Sequence, residues 1–528
     1  MFSDLRDLES GSTLETDVCI VGAGPAGISM AMALAGTRTR VLLLESGGFE
    51  FEPDTQDLYD GETAGLPYFD LTAARLRYFG GTSGHWDNWC NQMTGIDFRR
   101  RDWVPHSGWP IGESDLEPYY ARARPICGLD RHRPLEAIWN SLRVDPLPLD
   151  PAHLDYRFWE FAGPVRFGEA YRQPLKDAPN VRVLLHANVV NVQTDPEGGA
   201  VTRLDLRTLE GKTATVTAQS YVLACGGIEN ARLLLASNSV ESTGVGNRHD
   251  LVGRYFQEHI LDVLGTVVTD DPLAMIERFG STWLGKHGYT AGIMMSEAAQ
   301  EREQVLNCSV MMRYSASGDA VKTMKRLQNQ VKAGRLPDNL AAGVWNIVQD
   351  LDMFAYNVYR RKMLGLPVLP KPEDLQAISF VCHNEQAPNP DSRVTLTGDR
   401  DRFGMQRVRL DWRTGELDKR TVMRHARALG AEFSRTGAGI FRIEPWVEDE
   451  SMSWSPRMEG GYHHMGTTRM AADPRQGVVD GDCQVHGVRN LYIAGSSVFP
   501  TGGNINPTLT IVALALRLAD HLKDADAA

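Results

Sequence analysis

The stretch that most limits what this chain can become runs from Asp17 to Glu45, DVCIVGAGPAGISMAMALAGTRTRVLLLE. Residues 18–21 form a short apolar run of the kind a buried strand needs, and Gly22, Gly24 and Gly27 follow at once in G-x-G-x-x-G spacing. Residues 28–34 are Ala- and Met-rich and continue as an apolar helix. Residues 40–44 read as a second apolar strand with Glu45 at its end. This is a complete βαβ context, which commits the chain to a parallel sheet and to a dinucleotide. Gly22 permits the tight turn, Gly24 lets a pyrophosphate approach the backbone, and Gly27 lets helix and strand pack. The helix N-terminus then faces the anion. Glu45 follows Gly27 at close to the roughly 20-residue spacing of an acid that accepts from a ribose hydroxyl, and it disfavours a 2′-phosphate. The motif alone does not separate FAD from NAD.

Composition narrows the class further. A chain of 528 residues with 42% hydrophobic and 23% charged residues is long and apolar enough to bury a large core. Its 55 Lys and Arg against 67 Asp and Glu leave a net charge of −12, which argues against a mainly electrostatic nucleic-acid binder. The seven cysteines are scattered, with no CxxC, zinc, iron–sulfur or CxxCH spacing, so free thiols and no metal are expected. No apolar run approaches the roughly 20 residues of a membrane span. The first residues are polar and acidic rather than a basic and apolar leader. The expected compartment is therefore the cytoplasm, with export on a partner's signal left open.

Several middle segments suggest ligand contact. Residues 77–90, RYFGGTSGHWDNWC, place Gly81 and Thr82 in a flexible loop that can lie against a ring or phosphate, with His85 and Trp86 directly behind. Residues 179–235 suggest a β-meander through Val189, then a strand ending in Cys225-Gly226-Gly227 before a helix. In residues 318–367, Val344, Ile347, Val348, Leu351, Phe354, Ala355 and Val358 fall on one helical face. A packed helical excursion is expected, and the flanking basic residues leave a partner- or membrane-facing helix open. Residues 377–412 alternate like an antiparallel sheet. Asn384, Glu385 and Gln386 stand at a possible strand end and are of the type that binds hydroxyl-rich ligands. Near the C-terminus, Asn506-Pro507 opens a long apolar helix, with Asn suited to the N-cap and Pro to the first helical position.

Taken together, GAGPAG with Glu45, FGGTSGHW, YHHMGTTRM and AGSSVFPTGGNINPT resemble the glucose–methanol–choline (GMC) oxidoreductases, and they occur in that family's order. The resemblance spans Asp17 to about Leu522, and its motifs are closest to the pyranose oxidase and sugar dehydrogenase branch. It implies FAD and an α/β fold, α+β overall: a Rossmann-like FAD-binding domain with an inserted substrate domain on a six-stranded antiparallel sheet. The implied division gives residues 1–262 and 446–528 to FAD and 263–445 to substrate, the latter with the helical excursion near 318–367.

Site residues follow from the same resemblance. His463, three residues before Gly466-Thr467, takes the place of the family's active-site histidine, and Asn506 that of its second catalytic residue. His464 stands where a proline is common, which leaves open which of the paired histidines faces the flavin. With Gln386, it is the expected substrate contact. Val189, Gly495, Pro507 and Thr508 join the expected FAD contacts, and Gly495 replaces a common aspartate. His85 matches the histidine that carries covalent flavin in some members.

The implied reaction is FAD-dependent oxidation of a secondary ring alcohol of a sugar or glycoside to a keto-sugar. The hydride goes to flavin N5, with His463 as base and Asn506 holding the oxygen. A positioned base is worth ~10²–10⁴-fold. A non-sugar alcohol substrate is the alternative, and an FAD-containing lyase a remote one. The electron acceptor is expected to be dioxygen, a quinone or a separate electron-transfer protein.

Overall fold

Strand Ser12–Val21 lies at the centre of an eight-stranded sheet in the computed structural model, which describes residues 1–142, 144–317, 351–449, 451 and 453–527. The order along this sheet is Phe2–Asp4, Val181–Leu185, Val41–Leu44, Ser12–Val21, Thr213–Leu223, Val201–Arg207 and Asn188–Thr194. Leu491–Ile493 is added beside Thr213–Leu223. Its centre is parallel, with Val18 opposite both Val41 and Ser220, and the last two strands of the order return antiparallel. Val41–Leu44 is buried along its whole length, which explains why it is an unbroken apolar run rather than an alternating one. Helix Pro25–Leu34 lies directly over the glycine turn. A Cβ on Gly27 would sit 1.9 Å from the Gly22 carbonyl oxygen, so only glycine allows this approach. The long helix Thr508–Ala527 packs against Pro25–Leu34 and against Glu113–Ile126.

A second eight-stranded sheet is antiparallel at every pairing. Six strands form its main path: Thr282–Leu284, His287–Met295, Cys308–Ala316, Leu375–Asn384, Ile260–Val268 and Ile440–Ile443. Leu154–Phe161 adds to His287–Met295, and Glu459–Gly460 to Ile260–Val268. Helix Glu416–Arg435 covers one face, where Phe433 meets Phe380 with ring centroids 5.3 Å apart.

Segments cross between the two cores. Leu154–Phe161, early in the chain, pairs in the second sheet. Hairpin Arg393–Arg400 and Gln406–Trp412 instead joins Gly61–Gly65 in a three-stranded sheet, and its Val394, Val408, Leu410 and Trp412 belong to the core of the first sheet. The alternating pattern over 377–412 is thus two structures. Pro388 and Pro390 separate them, because proline lacks the N–H a ladder requires.

The expected excursion near 318–367 is described only in part. Val344, Ile347 and Val348 lie outside the described residues. Leu351–Tyr359 is helical and continues as a π turn over Arg360–Leu364. The described part differs from the apolar face expected there, since Ala355 and Val358 are exposed while Asn357 and Arg360 are buried. Asn357 closes a pair of hydrogen bonds with the backbone of Leu369 at 2.8 and 2.9 Å, and Arg360 pairs with Glu277 at 2.8 Å. Polar anchoring therefore sets which way the helix faces. Among the described residues, no helix is long and apolar enough to cross a membrane.

Candidate active site

A cavity of about 1020 Å³ is lined by residues from both sheets. One wall is glycine backbone. Gly22 turns sharply at φ +102°, with the Ala224 carbonyl oxygen 2.6 Å from where a Cβ would be. Gly24, Gly226 and Gly495 border the cavity, and a Cβ on any of them would meet nothing within 4 Å. They form a cradle that side chains would fill. Two helices, Pro25–Leu34 and Gly226–Ala236, begin at this wall, and neither start is capped by a side chain. Their unpaired N–H groups suit an anion.

Glu45 is buried beside the turn, with Oε2 accepting from Ala23 N at 3.1 Å and Oε1 from Gly47 N at 3.0 Å. The 77–90 loop lies on the same turn: Gly80 N donates to Ala23 O at 2.8 Å, and a Cβ on Gly81 would lie 3.1 Å from Gly24 Cα. Thr82, His85, Trp86 and Val189 all border the cavity. Trp86 is held by its Nε1–H, which donates to Val165 O at 2.9 Å. Burial, helped by Arg166, holds the His85 imidazole below its ordinary pKa. Open glycine backbone, two helix starts and a fixed carboxylate fit a dinucleotide. Of the expected glycines only Gly27 stays out of the cavity, under the helix it admits.

Another part of the lining is imidazole. His463 Nε2 lies 3.2 Å from Asn506 Nδ2, and both residues border the cavity together with Pro507 and Thr508. Asn506 was expected to cap the final helix; its recorded side-chain bond goes to His463 instead, and the helix starts at Thr508. Behind His463 stands His259, with the two Nδ1 atoms 2.8 Å apart. His259 Nε2 lies 2.8 Å from the Gly503 carbonyl oxygen. His383, on Leu375–Asn384, packs against His259 with centroids 4.2 Å apart and the rings tilted by 32°, and its Nδ1 lies 2.9 Å from Asn504 O.

Burial, reinforced by His259, His383 and His464, holds His463 well below the usual imidazole pKa. Burial alone pushes His259 down to about 4. At neutral pH the group is therefore uncharged, and His463 can accept a proton.

His464 also borders the cavity, but its Nε2 is tied to Tyr68 Oη at 2.8 Å, and Tyr68 donates to Glu258 at 2.6 Å. The Glu258 carboxylate also accepts from the backbone N–H of His463 at 2.7 Å and of His259 at 2.8 Å. Burial pushes Glu258 up to about 7. Of the paired histidines, His463 is thus the one that meets Asn506.

Gln386 does not stand where a substrate contact was expected. It is 1% exposed and absent from the cavity wall. Its Oε1 accepts from Glu258 N at 3.0 Å and Trp412 Nε1 at 2.9 Å, while Nε2 donates to Arg413 O at 2.9 Å. Glu385 beside it forms a fully buried pair with Arg101 at 2.6 Å. The Asn384–Gln386 segment is internal framework, because its polar groups satisfy one another and the backbone. His259 and His383 were not foreseen. His259 directly precedes strand Ile260–Val268 and His383 lies near the end of Leu375–Asn384, and neither belongs to a motif that marks it.

Residues 388–515 match the family profile of the GMC oxidoreductases, and residues 17–251 that of FAD dependent oxidoreductases. The chain is 24% identical to a 2-methyl-1,2-propanediol dehydrogenase of Mycolicibacterium austroafricanum, over 96% of this chain and 95% of that one. It is 26% identical to a C-glycoside 3-oxidase of Microbacterium trichothecenolyticum, over 92% and 80%. Among solved structures, a fungal aryl-alcohol oxidase shares the fold at a TM-score of 0.59 and 15% identity, over 99% and 100% of the two chains.

Proposed function

This chain belongs to the GMC oxidoreductases and is an FAD-dependent oxidoreductase of that type, and we propose that it oxidises a secondary ring alcohol of a sugar or glycoside to the keto-sugar. The observation that carries the reading is His463 meeting Asn506 on the wall of a cavity that also holds a glycine cradle fit for a dinucleotide. The bound FAD supplies the hydride acceptor. His463 Nε2 takes the proton of the hydroxyl, while the Asn506 amide N–H donates to its oxygen and holds it. Helix Thr508–Ala527 begins beside Asn506, and its positive end stabilises negative charge there by up to ~2 kcal/mol. The glycine wall with Gly22, Gly24 and Gly495 holds the dinucleotide, and Glu45 lies at the turn to receive a ribose hydroxyl. In this reading residues 1–262 and 446–528 serve FAD, and 263–445 shape the substrate side. His464, on the cavity wall, is assigned to the substrate as well.

The sugar substrate is supported by the likeness to the C-glycoside 3-oxidase and by polar groups at the imidazole wall. A non-sugar alcohol is the second reading. It is favoured by Leu261, Phe279, Met311 and Val381 in the same cavity and by the likeness to the 2-methyl-1,2-propanediol dehydrogenase. His85 is the residue on the cavity wall for a covalent flavin link. Acid precipitation that releases all flavin to the supernatant overturns that assignment.

The deciding experiment is an anaerobic visible spectrum of the flavin-loaded protein before and after adding a panel of glycosides. Bleaching supports the proposal, and readmitted air then separates an oxidase from a dehydrogenase that needs a quinone or an electron-transfer protein. Bleaching by 2-methyl-1,2-propanediol alone moves the assignment to non-sugar alcohols. Carbonyl release without bleaching marks a lyase.

A further inference from the structure

We propose that His259 is a positioning residue that locks His463 in the one tautomer whose Nε2 lone pair faces the cavity. The inference rests on His463 being the base, and it follows from counting protons along one hydrogen-bonded chain. The Gly503 carbonyl oxygen has no proton to give, so His259 Nε2, 2.8 Å away, must donate to it. A neutral imidazole carries one proton, so His259 Nδ1 is left as an acceptor. His463 Nδ1, 2.8 Å from that acceptor, must then be the donor, which strips its Nε2 of hydrogen. Asn506 closes the chain with an amide donor 3.2 Å from Nε2. The opposite tautomer would fail twice. Two Nδ1 lone pairs would face each other at 2.8 Å, and the His463 Nε2–H would point at the Asn506 N–H.

The relay itself is firmly held. His259 is 0% exposed, its backbone N–H donates to Glu258 Oε1 at 2.8 Å, and its ring rests against His383. Unlike His463, it does not border the cavity. It therefore acts on the reaction only through His463. His383 is fixed in the same manner by Asn504 O, but it has no recorded bond to His463 and lies outside the relay.

The direct test is ¹⁵N NMR of the flavin-loaded enzyme labelled at histidine, with the His463 signals identified by their loss in His463→Ala. A protonated Nδ1 and bare Nε2 are expected; a protonated Nε2 overturns the proposal. The second test is His259→Phe, which keeps the ring and removes both nitrogens. Flavin reduction is followed with whichever of D-fructose, a C-glycoside or 2-methyl-1,2-propanediol bleaches the unsubstituted enzyme. With FAD retained, the rate should fall at least about 10-fold and by no more than the ~10²–10⁴-fold worth of the base itself. In a His463→Ala background, the same change should cost nothing further, because the relay then has nothing to act on. Equal losses in both backgrounds mean a general structural role and overturn the proposal. A normal rate in His259→Phe with a slow His463→Ala overturns the relay alone. A normal rate in His463→Ala removes the base assignment itself. Should His259→Phe fail to fold, the tautomer spectrum of the unsubstituted enzyme still decides.

Discussion

The two walls of the cavity are built by opposite strategies. The glycine wall leaves side chains out: Gly24, Gly226 and Gly495 present backbone and open space, and Gly22 turns tightly against the Ala224 carbonyl. The imidazole wall works by crowding side chains together, with His259, His383 and His463 offering nitrogens within 4.8 Å of one another. The first wall is built from local turns, with Gly22 packed against the Ala224 carbonyl. The second is rigid because each ring is pinned by a carbonyl or another ring. In the proposed reading, one wall holds the cofactor and the other acts beside it. Substitutions in the two walls should therefore fail in different ways.

The largest effect is expected beneath the glycine wall, where the helix meets the turn. Gly27→Ala places a Cβ 1.9 Å from the Gly22 oxygen, where neither backbone can yield. It should cost more than about 4 kcal/mol and yield protein without flavin absorbance. Retained flavin and an unchanged melting temperature would break the backbone half of the comparison. Next, His463→Ala should slow anaerobic flavin reduction by ~10²–10⁴-fold while the visible flavin bands remain. Loss of the flavin along with the rate would show that the walls are not separable.

A third prediction concerns pH. Glu258 is protonated more readily folded than unfolded, because burial lifts it from the ordinary 4.5 to about 7. Its favourable contribution is full below the unfolded value and is lost as pH rises through the folded one. Glu258→Gln removes that loss. From pH 5 to pH 8 the variant should gain stability over wild type by on the order of 3 kcal/mol. Urea denaturation at the two pH values checks it, and a difference independent of pH refutes it. The smallest effect is expected at Gln386. Gln386→Leu strands the Glu258 and Trp412 N–H donors, at about 1–3 kcal/mol of stability. The KM of the bleaching alcohol should not move. A raised KM at unchanged stability would return Gln386 to the substrate.

Legibility divides along the same line as the walls. The glycine turn, the helix over it and the flanking strands are contiguous, so the spacing of Gly22, Gly24 and Gly27 already carries their geometry. His463 and Asn506 were placed through the family resemblance, carried by the motifs around them. Gln386 was misplaced because alternation over 377–412 shows that strands exist but not which sheet receives them. The pair of prolines that divides the stretch is visible, yet its consequence is not. The described part of the 351–364 helix was turned the wrong way for a similar reason. Periodicity weighs apolar residues, whereas Asn357 and Arg360 found partners in Leu369 and Glu277 that no local window contains.

His463 and Asn506 came from the family resemblance, whereas the sequence by itself determined the glycine turn, the parallel strands around it and the presence of alternating strands. These depend on dihedral freedom and on spacing along a helix or turn, which are properties of neighbours. Only the tertiary structure decided that His259 and His383 stand behind His463, that Glu258 ties the two paired histidines together, and that Asn384–Gln386 face inward. Those outcomes depend on strand register and on which carbonyls end up beside which rings. A hydrogen bond between residues 259 and 463 has no sequence signature, because its energy exists only once the chain between them has folded.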